Sequence, residues 1–366
     1  MAERTLILRE LNRALLARQL LLDRASISAL EAIRQVAGLQ AQAQVPPYIG
    51  LWSRLRSFHG EDLAQLLEQR QVVRATMMRS TLHLMTADDY LLLRPLLQPA
   101  LTRAMHSFFS AHAREIDIDQ IVSSARTFIQ EQPRTFVEIR SWLTELFPSV
   151  DPALLAYTVR THLPLVQVPT NSKWSFSGSP AHVLAETWLG RPLVASPEGL
   201  RHLILRYLAA FGPATVKDIQ VWSGLTQLQE AVEALKPDLR RFRDEQGKEL
   251  LDLSNGPLPS ESITVPPRFL PEFDNLILSH ADRRRVVPDE YRKAIYLSAG
   301  RVRATFLVDG FVCGVWRSER KRDVAKLLIE PFIPLSDRLR SDLEQEGEAL
   351  IRFIENDAAK FEIEFA

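Results

Sequence analysis

Residues 119–178 read DQIVSSARTFIQEQPRTFVEIRSWLTELFPSVDPALLAYTVRTHLPLVQVPTNSKWSFSG. DQIVSSARTFIQEQP carries apolar residues at helical spacing. TFVEIRSWLTELF opens on Thr135 with Glu138 three residues later, the pattern of a capping box. In DPALLAYTVRTHL, Asp151 precedes Pro152. Proline suits a first helical turn, where the N–H it lacks would have no partner. PLVQVPTNSKWSFSG reads as two strands around a Pro-Thr-Asn-Ser turn. Three helices followed by a β-hairpin are the parts of a winged helix, a helix-turn-helix with a hairpin appended.

The same order recurs over residues 197–254. SPEGLRHLILRYLAAFG, PATVKDIQVWSG and LTQLQEAVEALKPD supply three helices, and LRRFRDEQGKELLDLS a hairpin with a Gln-Gly turn. The two copies share little sequence, but their elements match in order and length. Residues 9–86 offer a more divergent third copy. There RELNRALLARQLLL is helical, SISALEAIRQVAG runs from Ser26 as N-cap to Gly38 as stop, and GEDLAQLLEQRQ is a further helix. VVRATMMRSTLHLMT then turns β-like. After the Pro-rich break NGPLPSESITVPP the pattern changes to strands, with Asp309-Gly310 as a hairpin turn, and a last amphipathic helix, SDRLRSDLEQEGEALIRFIEND.

The expected fold class is α+β: tandem winged-helix (helix-turn-helix) modules plus a C-terminal α+β module with β-hairpins. The expected division is 1–118, 119–190, 191–262 and 263–366, the first unit being winged-helix-like and carrying the glutamines discussed below.

The 366 residues are 46% hydrophobic and 25% charged, with 45 basic and 45 acidic side chains. A nucleic-acid role must then rest on local patches, since dedicated binders are often basic overall. A single cysteine, Cys313, allows no internal disulfide, and in its apolar strand it reads as inert. The stretch MAERTLILRELNRALLARQ lacks the apolar core of a signal peptide, and no run is long and apolar enough to span a bilayer. These readings point to the cytoplasm.

Winged helices commonly place a recognition helix in a groove, though they also serve as protein-interaction modules. LTQLQEAVEALKPD is acidic, and DPALLAYTVRTHL offers only Arg160 and His162, so the helices leave groove entry open. Basic residues cluster elsewhere: Arg74 and Arg79, HADRRRV at 280–286, Arg301 and Arg303, and RSERKR at 317–322. Such clusters contact phosphates or simply form solvated surface. Asp274-Asn275, inside the apolar run FLPEFDNLILSH, reads as a turn.

Residues 38–52, GLQAQAQVPPYIGLW, place Gln40, Gln42 and Gln44 at alternate positions. Residues two apart share a side in an extended segment and diverge in a helix. Gly38 before them and Pro46-Pro47 after them discourage a helix, so both Gln40 and Gln42 can face one cleft. The alternative is a polar edge on a helix-to-loop connection.

VAGLQAQAQVPPYIGLWSRL, MMRSTLHLMTADDY, LPEFDNLILSHADRRRVV and FLVDGFVCGVWR, in that order, resemble the winged-helix DNA glycosylases of the AlkZ/YcaQ type over residues 9–360. The likeness is greater to the AlkZ-like branch, whose Gln-x-Gln motif carries catalysis, than to the branch with Gln-x-Asp. It maps the catalytic pair onto Gln40 and Gln42. It implies a curved body of winged helices around DNA and hydrolysis of the N-glycosidic bond of N7-alkylated purines, including bulky adducts and interstrand crosslinks. It also implies that no metal or organic cofactor takes part.

The chemistry fits that implication. An N7-alkylated purine is already cationic and departs without protonation. A carboxamide is no base, but its oxygen can orient water and face the positive charge that develops on the sugar. A base tethered to the opposite strand cannot be flipped into a closed pocket, so an open cleft is expected, with a hairpin or wing probing the duplex. Arg79, His83, Arg283 and Arg284 are assigned to DNA, and Gln44, Tyr48, Trp52 and Thr81 to the cleft or lesion. For Tyr48 and Trp52 the competing role is core packing; for His83 it is a structural one. The expected partner is double-stranded DNA with alkylated purines, met by a monomer with no membrane and no obligate protein partner. The alternatives are a non-catalytic winged-helix DNA binder or transcription regulator, and a protein-interaction scaffold.

Overall fold

One six-stranded antiparallel sheet takes strands from both sides of residue 118. In the computed structural model its order is Leu39–Gln40, Leu82–Thr86, Val72–Thr76, Leu165–Gln167, Ala181–Leu184, Arg134–Thr135. The structure describes residues 4–109, 116–194, 196 and 198–366. Residues 1–3 of the stretch read as no signal peptide, and Pro197 of the segment read as a first helix, lie outside them.

The second unit has the expected three helices, Ile118–Glu131, Phe136–Leu146 and Pro152–His162. The Thr135–Glu138 capping box forms, and Asp151 accepts from the backbone N of Ala153 at 2.7 Å. The helices enclose Ile121, Ile129, Ile139, Leu143 and Val159. The hairpin departs from the sequence reading. Its second strand is Ala181–Leu184, not the segment around Trp174. Trp174 and Phe176 instead pack against the N-terminal unit, with Trp174 edge-on to Tyr48 at 5.0 Å between ring centroids. Burial of two aromatic rings outweighs two more rungs of an exposed ladder. Ala75 pairs with Val166, so the wing extends the N-terminal sheet. The helix Pro152–His162 is also covered: Leu154 packs on Met105 of the helix Gln98–Phe109.

The third unit comprises Gly199–Phe211, Val216–Ser223, Gln229–Leu235 and the hairpin Leu239–Asp244/Glu249–Leu253, turned through Gly247 at φ +78. Its outer edge is closed by the short strand Thr5–Leu6, parallel to it with Thr5 opposite Arg243. Both wings are thus joined to the N-terminal part of the chain.

The C-terminal module is a five-stranded sheet, Arg268–Leu270, Thr305–Val308, Phe311–Lys321, Val324–Pro331, Lys360–Phe365, covered by the helix Asp337–Ile354. Leu343, Leu350 and Ile351 of that helix meet Leu327 and Ile329 of the sheet. Asp309 and Gly310 form the expected turn, with φ +46 and +84.

One cap differs from the sequence reading. Ser28, not Ser26, caps the helix Ala29–Gln35, because Glu31 lies three residues beyond Ser28 and returns its carboxylate to the Ser28 N–H at 2.9 Å. No helix among the described residues is long and apolar enough to cross a membrane.

Candidate functional site

The site is built outward from Gly38. This residue ends a helical turn at φ +85, a conformation in which a side chain is strained. A Cβ there would stand 2.9 Å from Met85 Cγ and 3.0 Å from the Leu84 carbonyl oxygen. The Gly38 carbonyl accepts a hydrogen bond from Asn275 Nδ2 at 3.0 Å. Its neighbour Asp274 holds Arg54 in a bidentate ion pair at 2.8 and 2.9 Å, both side chains buried. Asp274-Asn275 is therefore more than a turn: it clamps the chain on either side of the glutamines. Two polar residues inside the apolar run FLPEFDNLILSH were the sequence signal for it.

Leu39 and Gln40 then pair with Leu84 and His83. The extended segment ends there. Gln42 and Ala43 lie exposed on a bend, and Pro46 opens the helix Pro46–Arg54. The glutamines are consequently held by different elements rather than by one straight ladder. Gln40 is 7% exposed, and its Oε1 accepts from Arg79 Nη2 at 2.8 Å. Gln42 Oε1 accepts from the Leu82 N–H at 3.3 Å, and Gln44 Nε2 donates to the Ser177 carbonyl at 2.5 Å. A guanidinium and a backbone N–H only donate, so the oxygen end of each catalytic candidate faces the protein. Among the described residues neither Gln40 Nε2 nor Gln42 Nε2 makes a hydrogen bond.

Arg79 reaches Gln40 from the tight turn Met77–Thr81, between the strands Val72–Thr76 and Leu82–Thr86. Arg79 and Ser80 both adopt positive φ, +56 and +60. Two successive non-glycine residues in that region are strained and persist only where surrounding contacts enforce them. Arg79 Nη1 donates to the Trp222 carbonyl at 2.8 Å. Burial, with a smaller effect from Arg283, lowers its pKa to about 10, so it remains a cation at neutral pH. Its two anchors make Arg79 a partner of Gln40 rather than the free phosphate contact the sequence suggested.

His83 is fully buried and so offers DNA no surface, contrary to its assignment. Its Nδ1 faces the Thr81 carbonyl at 3.1 Å, which places the proton on Nδ1 and leaves Nε2 as an unpartnered acceptor. Burial, then the Arg79 charge, push its pKa down to about 3, so the ring is neutral.

Tyr48 and Trp52 take the core role weighed above, not the cleft. Tyr48 is 1% exposed with its hydroxyl 2.5 Å from Ser175 Oγ, and Trp52 stacks on Phe353 at 6.0 Å. Thr81 is half-buried and donates to the Met78 carbonyl at 3.0 Å. Arg283, half-buried over the Tyr296 ring at 4.3 Å, stays within electrostatic reach of Arg79. Arg284 is clamped by Asp282 at 2.5 Å.

Beside this group lies a cavity of about 580 Å³. Gln42 and Gln44 line it from the N-terminal unit, Phe136, Arg160 and His182 from the second, and Gln40 is not part of its wall.

Three comparisons bear on this arrangement. The family described as DNA glycosylase AlkZ-like matches residues 33–353. An interstrand DNA cross-link repair glycosylase of Streptomyces sahachiroi is 25% identical over 355 residues, spanning 88% of this chain and 89% of that protein. The solved structure of Streptomyces sahachiroi DNA glycosylase AlkZ shares the fold, with a TM-score of 0.81 over 99% of this chain and 100% of that one at 19% identity.

Proposed function

The chain belongs to the AlkZ-like DNA glycosylases, and on that premise we propose that it hydrolyses the N-glycosidic bond of N7-alkylated purines in duplex DNA, with Gln40 and Gln42 as its catalytic residues. The relative from Streptomyces sahachiroi is named for interstrand cross-link repair, and by that kinship we extend the substrates to purines tethered across the duplex. The protein works as a monomer at the nucleoid.

The observation that carries the mechanism is that both carboxamides are oriented by donors that cannot be reversed, Arg79 for Gln40 and the Leu82 N–H for Gln42. The alkylated base leaves as the C1′–N9 bond breaks and its electron pair neutralises the ring. Water oxygen then bonds to C1′ and its proton passes to solvent. Gln42, exposed at the bend, has a second oxygen lone pair that accepts one O–H of this water and turns the water's own lone pair toward C1′. Gln40 offers the substrate its Nε2 hydrogens. The bond from the Arg79 cation polarises that amide and strengthens it as a donor to the departing base.

The test is release of free 7-methylguanine from duplex DNA by purified protein. Gln40→Ala and Gln42→Ala lose release while keeping most DNA affinity, and uracil and undamaged bases stay in place. Full rates in both variants would overturn the assignment.

The edges of both wings are taken up by strand pairing and the helix Pro152–His162 packs on Met105, which leaves the second unit without a free recognition helix. This disfavours the sequence-specific DNA-binder reading.

A further inference from the structure

Arg74, Arg94 and Arg160 bring three guanidinium groups to the cavity beside Gln42, and no Asp or Glu stands among the described residues of its wall. None of the three forms an ion pair among those residues. The cavity is therefore a region of uncompensated positive charge.

Such a region would ordinarily suggest a phosphate. The donors argue otherwise, because they already face neutral acceptors. Arg74 gives Nε and Nη2 to the Ala41 carbonyl, at 3.0 and 2.8 Å, and Nη1 to Gln167 Oε1 at 2.7 Å. Arg94 gives Nη1 to Gln98 Oε1 at 3.0 Å and Nη2 to the Thr161 carbonyl at 2.7 Å. Arg160 gives Nη2 to the Ser80 carbonyl at 3.3 Å. Phosphate recognition needs free N–H forks; Arg74 and Arg94 have both Nη groups engaged, and the unpartnered Nε of Arg160 is buried away from any ligand. What remains is charge with few free donors, next to aromatic surface. Phe136 and His182 meet edge to face at 4.4 Å between centroids, and His182 is neutral because burial lowers its pKa to about 4. A volume of about 580 Å³ lies within the range of small-molecule pockets.

We propose that this cavity is a specificity subsite for the N7 substituent of the lesion, selecting an uncharged, electron-rich aromatic group and rejecting a cationic one. The proposal rests on the glycosylase reading of the glutamine pair. Cations attract the face of a π-system, most strongly where water is displaced, and repel a positive group held at the same distance.

The experiment uses duplexes carrying three N7-substituted guanines: methyl, benzyl and 2-(trimethylammonio)ethyl. The wild-type protein favours the benzyl over the ammonium adduct by about tenfold or more in kcat/KM, the factor expected for one desolvated aromatic contact. Two variants act at the exposed wall residue Ser179, where substitution spares the core. Ser179→Trp fills the cavity, lowers benzyl excision by about tenfold and leaves methyl excision unchanged. Ser179→Glu supplies the missing carboxylate and narrows the gap between the benzyl and ammonium adducts. If 7-methylguanine is released but benzyl and ammonium adducts are treated alike, or Ser179→Trp leaves benzyl excision intact, the subsite falls and the glycosylase reading stands. If no 7-methylguanine is released, the reading falls and the subsite with it.

Discussion

Arg79 donates its Nη2 hydrogen to Gln40 Oε1 across 2.8 Å, from a turn in which its own backbone is left-handed. The turn aims the guanidinium, and the guanidinium fixes which end of the amide can meet a substrate. Replacing Arg79 with Met frees Gln40 to rotate and lowers single-turnover excision by about 10²-fold, the scale of a misplaced catalytic group. Arg79→Lys restores part of it. DNA affinity and its salt dependence stay nearly constant, whereas loss of a phosphate contact would weaken binding and flatten the salt slope.

Gln42→Glu separates acceptor from donor. Either carboxylate oxygen still accepts from the Leu82 N–H and from water, while the N–H hydrogens vanish. Excision of 7-methylguanine by this variant stays within about tenfold of wild type. A fall as deep as that of Gln42→Ala would show that the amide hydrogens of Gln42, not its oxygen, are used.

His83 and His182 tie stability to pH. Their folded pKa values, about 3 and about 4, lie below the ordinary 6.5, so between these limits the unfolded chain binds more protons. Their stabilisation is present above 6.5 and is lost as pH falls toward the folded values, by up to about 1.4 kcal/mol per pH unit for each ring. Urea midpoints from pH 7.5 to 4.5 check this: the decline begins near 6.5 and is shallower in His83→Phe. The rate profile shows no His83 inflection between pH 5 and 8. One that His83→Phe removes would mean the ring meets solvent in the working enzyme.

Asp274→Ala leaves Arg54 charged and buried without its partner, which costs about 3–5 kcal/mol. Replacing both, with Arg54→Met and Asp274→Leu, recovers much of that loss. Calorimetric melting distinguishes the two cases, and equal destabilisation in both would refute the ion-pair account.

Gly38→Ala puts a side chain on a left-handed residue at about 1–2 kcal/mol, with added strain from the contact against Met85 and the Leu84 carbonyl. Excision falls further than melting temperature does, because the displaced strand carries Gln40.

Much of the fold could be read from local pattern. The Thr135–Glu138 box, the Asp151-Pro152 start and the Asp309-Gly310 turn are decided within a few residues, and all three form. What escaped depends on distant partners. WSFSG has the composition of a strand, but Tyr48 offers its aromatics a burial site more than a hundred residues away. The alternation of Gln40, Gln42 and Gln44 suggested one extended ladder. The strand lasts only as long as Leu84 and His83 face it, so it stops at Gln40. The sequence assigns His83 to DNA with a structural role as the competing reading, and STLHL carries no local sign that decides between them; its cover comes from other elements.

Thr5 and Leu6 complete the edge of a hairpin whose strand, Leu239–Asp244, is synthesised more than two hundred residues later. During translation these two residues wait without a ladder partner, and Leu6, wholly enclosed in the finished protein, stays wet until Phe242 and Leu250 emerge from the ribosome. Thr5 and Leu6 therefore mature together with a segment far along the sequence. A bulky tag fused just ahead of Thr5 would be felt first as slow or incomplete closure of the third unit, far along the sequence from the tag itself.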